Sequence, residues 1–289
     1  MAPGSDGAGE VIHVGERVTR FQPGDKVLAF LFQTDYFSNM PLTPTALQSS
    51  IGGAVDGTFR EYGIFDQQGL VRMPSTLTYE QGATLGGAYL TAWNVLTGGA
   101  RAIRTGDCVL VQGAGNVSIA VIQLDLAAGA SAIATTSSQE KAAKLAELGA
   151  THVINYNQDK KWGTAAKNLS PGGLGCSHVV DVIGRADSFK ESLEAVAAGG
   201  EIQVVGFLDT VTKQGITGPT FLDTLLRNCT VRGIASGSRQ QFEEVLRAVE
   251  LRKISPVIDR RLIYLSDLKA GYQYLNDKQH FGKVIVKII

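Results

Sequence analysis

The chain has 289 residues, 44% of them hydrophobic and 19% charged, which is enough for two domains with cores of their own. Its 27 Lys and Arg balance 27 Asp and Glu, so net charge argues against nucleic acid or an anionic membrane as partner. No stretch approaches the roughly 20 apolar residues that span a bilayer, and no charged-then-apolar leader opens the chain, so the cytoplasm is the expected location.

In chain order, the part up to about Pro74 reads as short β segments. Residues 9–14 and 26–30 are apolar runs with a Pro23-Gly24-Asp25 turn between them, and 58–65 is a third predicted strand. Residues 33–50 read as an irregular polar loop. From Pro74 onward strands alternate with helices. Strands are predicted over 108–112, 132–135, 152–155, 177–182 and 201–205. Val117, Val121, Leu124 and Ala128 mark one face of a helix, and Ser137 with Glu140 three residues on predicts a capped second helix ending at Gly149. Further helical runs cover 162–168 and 188–197. Repeated βαβ units imply a parallel sheet with helices on both faces. After Gly206 come an apolar segment at 221–226, a strand at 230–234 and a helix at 240–251. A Ser266-capped helix to Asp277 and a last strand at 283–289 end the chain.

Gly113, Gly115 and Ser118 stand in Gly-x-Gly-x-x-Ser spacing between a predicted strand and a predicted helix. A dinucleotide fingerprint requires that setting. The first glycine permits the tight turn, the second lets backbone N–H groups approach a pyrophosphate, and the helix N-terminus adds partial positive charge. Asn116 adds a side-chain donor near the phosphates or is a neutral substitution. NAD sites hold the ribose with an acid at the end of the next strand. Here that strand ends Thr135-Thr136-Ser137-Ser138, and Lys141 follows in the first helical turn. A carboxylate would repel a 2′-phosphate, so Ser137, Lys141 and the missing acid point to NADP(H). The plain alternative for Lys141 is a solvated surface lysine. The three cysteines, Cys108, Cys176 and Cys229, and the four histidines are scattered without ligand spacing, which speaks against zinc. Cys108 and Cys176, at or beside apolar runs, read as buried inert thiols.

Several longer stretches resemble the medium-chain dehydrogenase/reductase superfamily, in its zinc-independent, quinone-oxidoreductase-like branch. They include residues 3–11 (PGSDGAGEV), 21–27 (FQPGDKV), 90–93 (LTAW), 109–118, 148–156 (LGATHVINY) and 280–284 (HFGKV). The resemblance implies an α/β chain: a GroES-like, β-rich substrate domain, short of its opening strands, and a doubly wound Rossmann domain. The expected divisions are 1–74 for the first part of the substrate domain, 75–234 for the NADP-binding domain, and 235–289 for a segment returning to the substrate domain. The resemblance also implies an active site in a cleft between domains and homodimers paired through Rossmann edge strands.

By position, the resemblance places Thr91 near the nicotinamide and Tyr156 beside the adenosine phosphate, with Gly113, Gly115, Asn116 and Val117 at the pyrophosphate. Gly206, Phe207, Phe281 and Gly282 fall where the nicotinamide half rests. For Tyr156 the alternative is a strand cap, and for Phe207 and Phe281 it is interdomain packing. Zinc-dependent relatives carry a His and an acid where this chain has Ser5 and Asp6, and a Cys where it has Gly87. Tyr89 stands where relatives usually have a small residue, and it is a candidate to enter the cleft. The expected activity is zinc-free hydride transfer from NADPH to a small carbonyl or an activated alkene of enone or quinone type. No catalytic acid is assignable. The rival reading is a redox-silent NADP-binding scaffold, acting as a non-redox catalyst or a regulatory binder.

Overall fold

Three short strands open the chain: β1 (Ala8–Glu10), β2 (Lys26–Ala29) and β3 (Leu70–Arg72) form an antiparallel sheet in that order. The turn between β1 and β2 depends on Gly24, whose φ of 91° suits a residue without a Cβ, and whose N–H donates to the Val11 carbonyl at 2.8 Å. The computed structural model describes residues 1–34, 37, 42–206 and 218–288. The strand predicted over 58–65 does not form. The N–H groups of Gly57, Thr58 and Phe59 donate to the carbonyls of Ala2, Gly4 and Pro3, and Ile64 is 96% exposed. The third strand follows the turn capped by Asp66 instead.

Inside the predicted 33–50 loop lies a short helix, α1 (Pro44–Gln48), where the Thr43 hydroxyl accepts the Ala46 N–H. Next come α2 (Tyr79–Gly82), a π-helical turn at Leu85–Tyr89, and α3 (Leu90–Thr97).

The alternating region then gives β4 (Cys108–Gln112), α4 (Asn116–Ala127), β5 (Ser131–Thr136), α5 (Gln139–Glu147) and β6 (His152–Asn155). It continues as α6 (Trp162–Leu169), β7 (Cys176–Asp181), α7 (Ala186–Ala195) and β8 (Val196–Val204). It closes with α8 (Phe221–Arg227) and β9 (Thr230–Gly233). The six strands form one parallel sheet in the order β6-β5-β4-β7-β8-β9. This is the doubly wound arrangement: the order reverses beside β4, and crevices for ligands open at such a switch point. All residues of β4 and β7 are buried, as expected of strands covered on both faces. Leu110, Ile133, Val179 and Ile202 share a core with Trp162 and Leu193.

The chain ends with α9 (Arg239–Arg252), β10 (Ile258–Tyr264), α10 (Leu268–Asn276) and β11 (Lys283–Lys287). Ser238 and Gln241 form a capping box on α9. No side chain caps α10, which instead continues from a 3-10 turn at Leu265–Asp267. The chain divides into two compact units, Met1–Leu90 with Gly237–Ile289, and Thr91–Ser236. Residues 75–90 therefore group with the first unit. Phe21, Val27, Ala29, Ile51 and Leu70 form a core of the first unit.

Candidate cofactor site

β4 runs directly into the glycine loop. Gly113 has φ 73°, a left-handed conformation that favours glycine, and Gly115 is extended as the N-cap of α4. No side chain caps that helix, so its first N–H groups are available to an anion. A Cβ built on Gly113 or Gly115 meets nothing within 4 Å, so the cradle is open. Ser118 is buried, and its hydroxyl donates to the Gln112 carbonyl at 2.8 Å, tying α4 to the end of β4. These features fit a dinucleotide pyrophosphate.

The end of β5 is built from hydroxyls. Thr135 Oγ1 accepts the Gly113 N–H at 3.3 Å, and Thr136 Oγ1 accepts the Ser138 N–H at 3.2 Å. Ser138, not Ser137, is the N-cap of α5, accepting the Lys141 N–H at 3.3 Å. The cap lies one residue later than predicted because the bend at 137 carries the chain from strand to helix. Ser137 is left exposed. Glu140 pairs with Lys144 at 2.7 Å. The Tyr156 N–H donates to the Thr136 carbonyl at 3.1 Å, and its side chain packs against the Trp162 cluster.

Gly113, Gly115, Asn116, Val117, Ser137, Lys141 and Tyr156 thus lie at the C-terminal ends of the neighbouring strands β4, β5 and β6, or in the first turns that follow. Thr91 is buried in α3 of the same unit. Gly206 follows β8, where a Cβ would stand 2.5 Å from the Val182 carbonyl oxygen. Phe207 lies outside the described residues. Phe281 and Gly282 belong to the other unit. There the Phe281 N–H donates to Asp259 Oδ2 at 2.9 Å, and Gly282 has φ 86° with no room for a Cβ beside the Val257 carbonyl.

A buried polar network braces the switch point and was not apparent from the sequence. Gln112 Nε2 donates to Ser192 Oγ at 2.8 Å, and that hydroxyl donates to Asp181 Oδ2 at 3.0 Å. Asp181 Oδ1 accepts the Ile183 and Gly184 N–H groups at 3.0 and 2.9 Å, which fixes the turn after β7. The only signal was polar residues closing apolar strands.

The positions expected to match zinc ligands do not suit the metal. The Asp6 carboxylate is ion-paired with the Lys283 ammonium, Gly87 has no side chain, and a Cβ there would lie 3.2 Å from both Asp6 oxygens. A zinc site needs three or four ligands converging on one point. Among the described residues, no group of three His, Cys, Asp or Glu side chains could hold a metal ion. Tyr89 is 3% exposed, and burial pushes its hydroxyl up in pKa against an opposing backbone hydrogen bond from Val257. A groove of about 560 Å³ in the first unit, lined by Arg20, Phe21, Arg72, Glu243, Arg247 and Glu250 among others, contains none of the predicted site residues.

Comparison with known proteins agrees with this geometry. The alcohol dehydrogenase GroES-like domain matches residues 1–75, and the zinc-binding dehydrogenase family matches residues 117–250. A zinc-type alcohol dehydrogenase-like protein of Schizosaccharomyces pombe is 38% identical over 293 residues, covering 100% of this chain and 82% of the relative. An acryloyl-coenzyme A reductase of Metallosphaera sedula is 30% identical, covering 98% of this chain and 82% of the relative. A crystal structure of an NAD-dependent alcohol dehydrogenase superposes with a TM-score of 0.86 at 31% identity, covering 100% of this chain and 83% of that one. The chain belongs to the medium-chain dehydrogenase/reductase superfamily of nicotinamide-dependent oxidoreductases.

Proposed function

We propose that the chain is an NADPH-dependent reductase that passes hydride to a small carbonyl or an activated alkene of enone or quinone type, without zinc. The observation that carries this reading is the open glycine cradle beside an acid-free β5 end. The backbone of Gly113, Gly115, Asn116 and Val117 binds the pyrophosphate. The exposed Ser137 and the Lys141 ammonium receive the 2′-phosphate, where an Asp or Glu would repel it. Tyr156 lies along the adenosine phosphate, and Thr91 and Gly206, of the same unit, position the nicotinamide half. When bound, the cofactor supplies the hydride, and the protein supplies its position.

The reductase named for the Metallosphaera relative acts on an activated alkene, which supports that half of the substrate range. The NAD-dependent structural neighbour makes cofactor preference the point to measure. We also infer a homodimer. β9 is the edge strand of the parallel sheet, and the adjacent α8 exposes Phe221, Leu225 and Leu226 at 96%, 73% and 73%. An apolar patch beside an open strand edge suits a second copy of the chain. Light scattering should give the dimer mass, and Leu225→Glu should shift it toward monomer.

The test of function is loss of NADPH absorbance with a panel of enones, quinones, acryloyl thioesters and aldehydes. Turnover on one class is the expected result. NADPH binding without consumption across the panel would favour the redox-silent scaffold.

A further inference from the structure

Cys108 opens β4 and Cys176 opens β7, and these strands are neighbours in the sheet. Their sulfur atoms lie 3.6 Å apart, at 4% and 0% exposure, within one core cluster. Both thiols are free. α4 packs on β4, and its Asp125 is 0% exposed, with neither carboxylate oxygen in a hydrogen bond of normal geometry and only the Leu126 backbone N–H favouring its charge. A buried carboxyl so weakly partnered is costly, and such groups call for a reason. Burial pushes Asp125 up to about 8, and the charge of the Cys108 sulfur adds to the shift. The hydrogen bond from the Cys176 thiol favours the thiolate at Cys108, while the same contact and burial hold Cys176 up. The remaining groups acting on Cys108 are the Ser131 hydroxyl and the Asp107 carboxylate.

We propose that Cys108 and Cys176 form a dithiol redox site, oxidised to a β4–β7 disulfide by low-molecular-weight disulfides. Cys108 gives its proton to solvent, and its thiolate attacks one sulfur of the oxidant. The oxidant's S–S bond breaks, and the departing thiolate collects a proton from solvent. Cys176 then displaces the second thiol from Cys108, its own proton leaving with that group. One small disulfide is reduced to two thiols, and one protein disulfide forms. Access comes from the strand ends. Cys108 follows a turn at Gly106, and Cys176 follows Gly172, Gly173 and Gly175, all four glycines with positive φ. Both cysteines are the first residues of their strands, and local opening is ordinary at element termini.

The experiment treats the full chain with hydroxyethyl disulfide, alkylates it under denaturing conditions, and maps the peptides by mass spectrometry. We expect a Cys108–Cys176 linked peptide, a chain about 2 Da lighter, and reversal by dithiothreitol. Cys229→Ser should retain the linkage. Full alkylation of Cys108 and Cys176 after treatment, or linkage only through Cys229, overturns the site.

Discussion

Two fully buried aspartates in the Rossmann unit sit in opposite circumstances. Asp181, at the end of β7, accepts three hydrogen bonds and shapes the turn beside the switch point. Asp125, on α4, accepts none of normal geometry at its carboxylate, and burial pushes it up to about 8 against the weak support of the Leu126 backbone N–H. The same side chain thus organises a loop near the cofactor cradle in one place and destabilises the core in the other. Burial alone does not make a carboxylate structural; the donors around it do.

Substitution sharpens the contrast. Asp181→Ala leaves buried donors without an acceptor and should cost about 3 kcal/mol in urea unfolding. Asp125→Ala should instead stabilise by roughly 1–3 kcal/mol, since it removes an unsatisfied polar group. That gain depends on pH. Asp125 holds its proton up to about 8 when folded but only to about 3.8 when unfolded. Native stability therefore falls as pH rises from 3.8 to 8, and the advantage of Asp125→Ala grows over the same window. A stability gain that does not change with pH would contradict the assignment. Asp6 is a third case, satisfied by one charged donor, the Lys283 ammonium. Lys283→Met should cost about 1 kcal/mol, because the pair is partly exposed. Elemental analysis of the wild type should find no stoichiometric zinc, and one metal per chain would overturn the reading of Asp6.

The parallel sheet was legible because its central strands, β4, β5 and β7, are buried on both faces and read as apolar runs, and the rest follow in the same alternation with helices. His152–Asn155 was predicted and observed with the same ends, and so was Cys108–Gln112. The glycine loop was legible because its spacing and setting carry the chemistry. The first unit was harder. β10 has Arg260 and Arg261 at its centre and a register shift against β11, so it presents no apolar run or clean alternation. Residues 58–65 look like a strand, but the backbone N–H groups of Thr58 and Phe59 go to the N-terminal loop. Contacts between distant residues were not legible at all. Asp6 and Lys283 are 277 positions apart, and Cys108 and Cys176 meet only because β7 packs beside β4. Two thiols that read as inert one at a time become a pair once the strand order is known.

We propose that the β5 end and Lys141 select the 2′-phosphate. The most direct measurement is calorimetric titration of NADPH and NADH into the wild type and Lys141→Ala. Tighter NADPH than NADH is predicted, with Lys141→Ala weakening NADPH by roughly 1–3 kcal/mol and leaving NADH nearly unchanged. Equal affinities, or tighter NADH, would contradict it.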